Sequence, residues 1–173
     1  MKLTKVLSYT LLIILLLSVS TAYASNSKTY TIDTLQGKVG VFGKTGPTKT
    51  YYFKSDTGER YILVGKLVEE IKKVKQFQLN ITGRIEGRSL TPWSYDVAFN
   101  KDTHYSDQAV FIGKLFYDKA KLYLVTNDQY VLRVYADSLG HFNNKKMLLR
   151  GKYVKTGRYT GDITVVNFID LSK

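Results

Sequence analysis

The chain is 173 residues long, with 26 Lys and Arg against 14 Asp and Glu, a formal net charge of +12, and no cysteine. Without cysteine there are neither disulfides nor thiolate chemistry, so stability must come from packing. The basic excess favours association with anionic polymers or membrane surfaces, through an attraction that salt weakens.

Residues 1–24 have the layout of an export signal: Lys2 and Lys5, an apolar run from Leu11 to Leu17, then Ala22-Tyr23-Ala24 as a small-residue cleavage site. Cleavage near Ala24 is expected, because the apolar run is shorter than the roughly 20 residues of a spanning helix. The mature chain would keep 149 residues and a net charge of +10, shared as +5 each between residues 25–105 and 106–173. Few prolines and a patterned supply of β-branched and aromatic residues predict many short strands. After a leader at Ser25–Thr31, either loose or an added edge strand, strands are expected at Gly37–Phe42, Thr50–Lys54 and Arg60–Val64. Ser55-Asp56-Thr57-Gly58-Glu59 closes the second hairpin, since Gly accepts positive φ and Asp bonds to nearby amides. Leu67, Val68, Ile71 and Val74 then fall at helical spacing among charged residues, which predicts a short amphipathic helix. Strand chemistry returns over Gln76–Glu86, followed by a loop with Pro92 and Trp93 and a fifth strand at Tyr95–Phe99.

A linker at Asp102–Asp107 leads into a second cycle: strands at Val110–Tyr117, Lys121–Thr126 and Tyr130–Tyr135, a turn or helix around Ala136–Phe142, and strands at Lys146–Val154 and Asp162–Ile169. Gly37-Lys38-Val39 is echoed by Gly113-Lys114-Leu115, and Ile81-Thr82-Gly83-Arg84-Ile85 by Leu149-Arg150-Gly151-Lys152-Tyr153. Repetition at one domain length predicts two copies of one β module, residues 25–105 and 106–173. Five strands with a helix between the third and fourth resemble the OB-fold, a small Greek-key barrel. The expected fold class is therefore all-β with short helices, as two tandem five-stranded OB-fold-like barrels. SH3-like barrels are the rival architecture, and the Leu67–Val74 segment favours the OB-fold.

The resemblance implies a ligand crossing the face of the second and third strands, between the loops joining strands one to two and four to five. Those loops would bring Lys44, Lys49, Arg88 and Trp93 in the first module, and Lys119, Lys121, Lys155, Arg158 and Tyr159 in the second. Arg and Lys neutralise phosphates or carboxylates, and aromatic rings stack on bases or sugar faces. The plainer reading is that these cations keep loops soluble and that Trp93 caps a barrel end. In Tyr51-Tyr52-Phe53 adjacent residues face opposite ways, so one side is expected in the core and the other is either a stacking platform or an ordinary half-buried strand surface, with most tyrosines of the chain expected in the core. Glu69 and Glu70 read as the wet face of the helix, and Asn80-Ile81-Thr82 is a glycosylation pattern inside a predicted strand.

His104 and His141 have no carboxylate cluster beside them, and neither a metal-ligand spacing nor a nucleophile motif is present. No catalytic residue, cofactor or metal is therefore expected. The function expected is an exported, non-enzymatic binding module for an anionic or sugar-rich envelope polymer, with nucleic acid ranked behind and a membrane surface as a further partner. The sequence leaves open periplasm, cell surface or medium, and the oligomeric state. A second reading is a structural component that docks on an envelope protein through exposed strand edges. A third is an exported nuclease on an OB barrel, resembling the thermonuclease family in fold and export only. That family binds a divalent metal through clustered acids, whereas this chain has no Asp-Gly-Asp strand motif and scatters its acids among turns.

Overall fold

The computed structural model describes residues 29–43, 49–136 and 138–172; the expected export signal and Lys44 lie outside the described residues. The described residues are mostly β, with 64% strand and 7% helix. Residues 31–173 form one compact unit. Its first part contains β1 (Thr31–Phe42), β2 (Thr50–Ser55), β3 (Arg60–Leu63), helix α1 (Val68–Lys73), β4 (Gln78–Glu86) and β5 (Ser89–Val97). These strands close into a barrel in the order β1-β2-β3-β5-β4, antiparallel except where β3 runs beside β5.

The second part contains β6 (Tyr105–Asp118), β7 (Lys121–Thr126), β8 (Val131–Tyr135), a single 3-10 turn at Gly140–Phe142, β9 (Lys146–Lys155) and β10 (Thr160–Asp170). They form a second sheet whose pairings also close, in the order β10-β8-β7-β6-β9, with β8 and β10 parallel.

The long first strand of each sheet explains the repeated glycines. β1 starts at Thr31 rather than Gly37, because its first half pairs with β4 and its second half with β2. β6 likewise divides its length between β9 and β7. At each handover sits a glycine on which a Cβ would collide with the neighbouring strand: 2.1 Å from the Lys54 carbonyl oxygen at Gly37, and 2.5 Å from that of Val125 at Gly113. Only a residue without a side chain lets the backbones approach so closely.

Two expectations need correction. Pro92 and Trp93 lie inside β5 and not in a loop. Gly83 pairs with Pro92 and Thr82 with Ser94, so Trp93 is the extra residue of a β-bulge, where a proline is tolerated because the ladder is interrupted. The linker is also shorter than expected, since β6 begins at Tyr105.

The segment between the sheets is anchored. Phe99 packs edge-on to Phe111, with ring centroids 5.1 Å apart, and the Lys101 carbonyl accepts hydrogen bonds from the hydroxyls of Tyr130 (3.2 Å) and Tyr153 (3.3 Å). Val110, Ile112 and Leu148 of the second sheet belong to the core cluster around Phe53, Ile71 and Leu79 of the first. Glu70 is therefore more than the wet face of a helix: it accepts a hydrogen bond from the Tyr95 hydroxyl (3.0 Å) and pairs with Lys146 of β9 (2.7 Å). Burial and the Glu70 carboxylate together push the Tyr95 phenol well above its ordinary pKa. Among the described residues no helix is long and apolar enough to cross a membrane.

Candidate functional site

Side chains alternate across a strand, so the residues that leave the core of β1–β3 share one outer face. Phe53, Leu63 and the partly buried Tyr51 and Tyr61 fill the inside, which turns Lys38, Gly40, Phe42, Tyr52, Lys54, Arg60 and Ile62 outward. Register sets their neighbours. Lys38 lies opposite Lys54, and Lys54 opposite Arg60, giving a row of three exposed cations across three strands. Among the described residues none of the three makes a salt bridge. Like charges directly opposed in a sheet are unfavourable, by roughly 1 kcal/mol per pair in water-like surroundings at cross-strand separation.

The next row carries the ring. Tyr52 pairs with Gly40 on one side and Ile62 on the other, and its ring lies over Gly40, where an added Cβ would come within 2.2 Å of the phenol carbon. The ring packs on Phe42 with centroids 4.3 Å apart, and the Arg60 guanidinium carbon stands 5.6 Å from its centre. Phe42 is 47% exposed and Ile62 43%. Flat aromatic surface bordered by unpaired cations is chemically suited to an anionic ligand with rings of its own.

In the second sheet Tyr123 takes the place of Tyr52, between Phe116 of β6 and Arg133 of β8. The Lys114 ammonium lies 5.4 Å from the Phe116 ring, and Arg133 4.9 Å from that of Tyr135. Here, however, Val125 and Val131 fill the positions that Lys54 and Arg60 hold in the first sheet, and Asp162 stands opposite Arg133. A groove of about 330 Å³ beside this face is lined by Tyr117, Lys121, Arg133 and Tyr135.

The residues expected from the sequence are dispersed. Arg88 is exposed in the β4–β5 turn and shares a groove of about 460 Å³ with Glu59, Arg60 and Tyr61. Lys49 is exposed just before β2, and Lys119 at the tip of the β6–β7 turn. Lys121 and Lys155 belong to β7 and β9 and not to loops. Lys155 is committed to Asp102 (2.7 Å), which lowers the pKa of that carboxyl. Arg158 lies over the Tyr159 ring at 5.2 Å, and Tyr159 meets Tyr130 edge-on at 6.0 Å. Trp93 projects from the β5 bulge, 53% exposed.

Sequence reasoning missed Lys38, Lys54, Arg60 and Arg133. Their alternation with core residues is visible in the sequence, but their alignment depends on cross-strand register. No protein-family model matches the chain, and comparison with curated proteins gives no match.

Proposed function

We propose that the protein is a non-catalytic binding module that acts outside the cytoplasm and holds an anionic, ring-bearing polymer along the outer faces of two OB-fold-like barrels. Support for the OB-fold assignment is the strand order one-two-three-five-four, with the third and fifth strands parallel and a helix or 3-10 turn before the fourth, repeated in both sheets. The observation that carries the functional reading is the cation row Lys38, Lys54 and Arg60 beside the Tyr52 ring. Three opposed positive charges cost stability in the free protein, and an anionic ligand removes that cost. Docking through strand edges has less support, because every strand of both sheets has two paired neighbours.

The test is the binding of labelled oligo-dT and of heparin fragments, measured by anisotropy across a salt series. For a single strand that contacts all three cations, the log–log salt slope should contain a contribution of about −2 from this row. Lys38→Gln, Lys54→Gln and Arg60→Gln combined should remove that contribution. Equal affinity and slope in the triple variant would refute the assignment of the site, and failure of both polymers to bind at low salt would refute the ligand class.

A further inference from the structure

A second site of different chemistry lies between the two sheets. A groove of about 500 Å³ runs over the outer surface of β4 and β5 toward the β7–β8 turn, lined among others by Asn80, Thr82, Ser94, Asp96, Asn127 and Asp128. The ladder places Asn80 opposite Asp96 and Thr82 opposite Ser94, so these four polar side chains form a block of two adjacent rows. The bulge controls what stands at the end of that block. Pro92 and Tyr95 are buried while Trp93 and Ser94 are both exposed, so the inserted residue puts two consecutive side chains outward where a regular strand would put one. Trp93 is the only tryptophan of the chain, and at 53% exposure its indole is available beside a lining residue of the groove.

The hydrogen-bonding supply is open. Thr82 is engaged with Thr34 (2.8 Å), but the side chains of Asn80, Ser94 and Asn127 have no partner among the described residues. Each carboxamide offers two donors and an acceptor, and the serine offers one donor and accepts as well. The charge is opposite in tendency to the cation row. Lys101 is held between Asp96 (2.7 Å) and Asp128 (2.9 Å), and Asp102 by Lys155 (2.7 Å), so three carboxylates face two ammonium groups in a chain whose net charge is +12. A polyanion gains nothing here. A neutral ligand rich in hydroxyls does, with one apolar ring face against the indole and its hydroxyls against the amides and carboxylates.

We infer that this groove binds a neutral pyranose oligosaccharide, with Trp93 as the stacking platform and Asn80, Ser94 and Asn127 as hydroxyl partners. The site is independent of the cation row and stands or falls separately from it.

Because Trp93 is the sole tryptophan and adjoins Ser94 at the edge of the groove, its emission serves as the readout of occupancy. The purified protein is titrated with the N-acetylglucosamine tetramer, cellotetraose and maltotetraose. At least one of them should change the emission saturably with a Kd of about 1 mM or tighter. Asn80→Ala with Asn127→Ala should weaken that binding about tenfold, through loss of direct hydrogen bonds. Should the pair not fold, the exposed Asn127→Ala alone serves, with a smaller loss in the same direction. Trp93→Leu, followed by calorimetry, should abolish binding, and the triple variant of the cation row should leave it unchanged. The inference is overturned if no tetrasaccharide alters the emission at about ten times that concentration, if the asparagine variants bind with unchanged affinity, or if only oligo-dT produces the change.

Discussion

Tyr52 and Tyr123 hold the same place in two sheets of the same strand order, yet their surroundings differ. Beside Tyr52, Lys54 of its own strand and Lys38 and Arg60 of the two neighbouring strands form one row, with no carboxylate paired to them among the described residues. Around Tyr123 the corresponding row is Lys114, Val125 and Val131, and Arg133 faces Asp162. Both halves of the expected mature chain carry the same net charge of +5. Among the described residues each half also has three cations in salt bridges, Lys72, Arg84 and Lys101 in the first and Lys145, Lys146 and Lys155 in the second, so the halves differ in which cations stay on the outer face. Net charge therefore says little about where a polyanion sits, and the placement of partners says much more. The first sheet has the stronger electrostatic face; the second has a more aromatic face, with Phe116 and Tyr135 exposed around Tyr123.

The largest expected effect tests whether the two faces are held in one body. Lys101 comes from the connecting segment, and its side chain is only 14% exposed between Asp96 and Asp128. Burial works against its ammonium form, but Asp96 and Asp128 outweigh it, and its pKa is raised. Burial also raises the pKa of Asp96, although Lys101 opposes the shift. Lys101→Met leaves a largely buried carboxylate without its counter-charge and should destabilise the protein by about 3 kcal/mol near neutral pH. The sign of the pH dependence follows from the direction of the Asp96 shift. A carboxyl whose folded pKa lies above its unfolded value opposes folding once ionised, and no longer does so when protonated. The loss in Lys101→Met should therefore shrink as pH falls toward the raised Asp96 value, as measured by urea unfolding at a series of pH values. A loss that is constant with pH would mean that Asp96 is not the group left exposed to the cost.

Binding comes next in size and separates the two faces. Tyr52→Ala should weaken binding of the anionic polymer by about 1 to 3 kcal/mol, the range for loss of one stacking ring. Tyr123→Ala should cost the same at high salt but less at low salt, where the cation row beside Tyr52 dominates. Equal losses at every salt concentration would erase the electrostatic distinction between the faces.

The strands were legible because alternation of apolar and polar residues is a local signal, and the helix at Leu67–Val74 because its period is local too. The long β1 and β6 were not, since their early halves are defined by pairing with β4 and β9. Ala109-Val110-Phe111-Ile112 reads as a strand but not as an interface. Ala109 and Phe111 belong to one core cluster and Val110 and Ile112 to the other, and a strand buried on both faces is uniformly apolar. A proline argues against a ladder position, so Pro92-Trp93 reads as a loop in the sequence, and a bulge removes that objection only when the partner strand is known. The cation row was hidden for the same reason: Lys38, Lys54 and Arg60 are distant in the chain and become neighbours only through register.

The smallest expected effect concerns the turns that precede the two second strands. In the second sheet a two-residue turn, Lys119-Ala120, joins the paired Asp118 and Lys121, and both of its residues have positive φ, 46° and 63°. That is the type I′ geometry normally filled by Asn and Gly. In the first sheet the connection spans residues 43–49, and Gly43 takes φ 97° without a side-chain penalty. An alanine in the left-handed region costs about 1 to 2 kcal/mol. Ala120→Gly relieves most of that, but it also gives the unfolded chain more freedom, an opposing effect of about 0.4 to 1 kcal/mol. The net expectation is a gain of about 0.5 kcal/mol, readable as a shift in the urea midpoint at unchanged slope. The binding measurement on the same variant then decides what the strained turn is for. If stability rises and polymer affinity stays constant, the strain only closes the β6–β7 hairpin; if affinity falls, the fixed direction of Lys119 contributes to the second face.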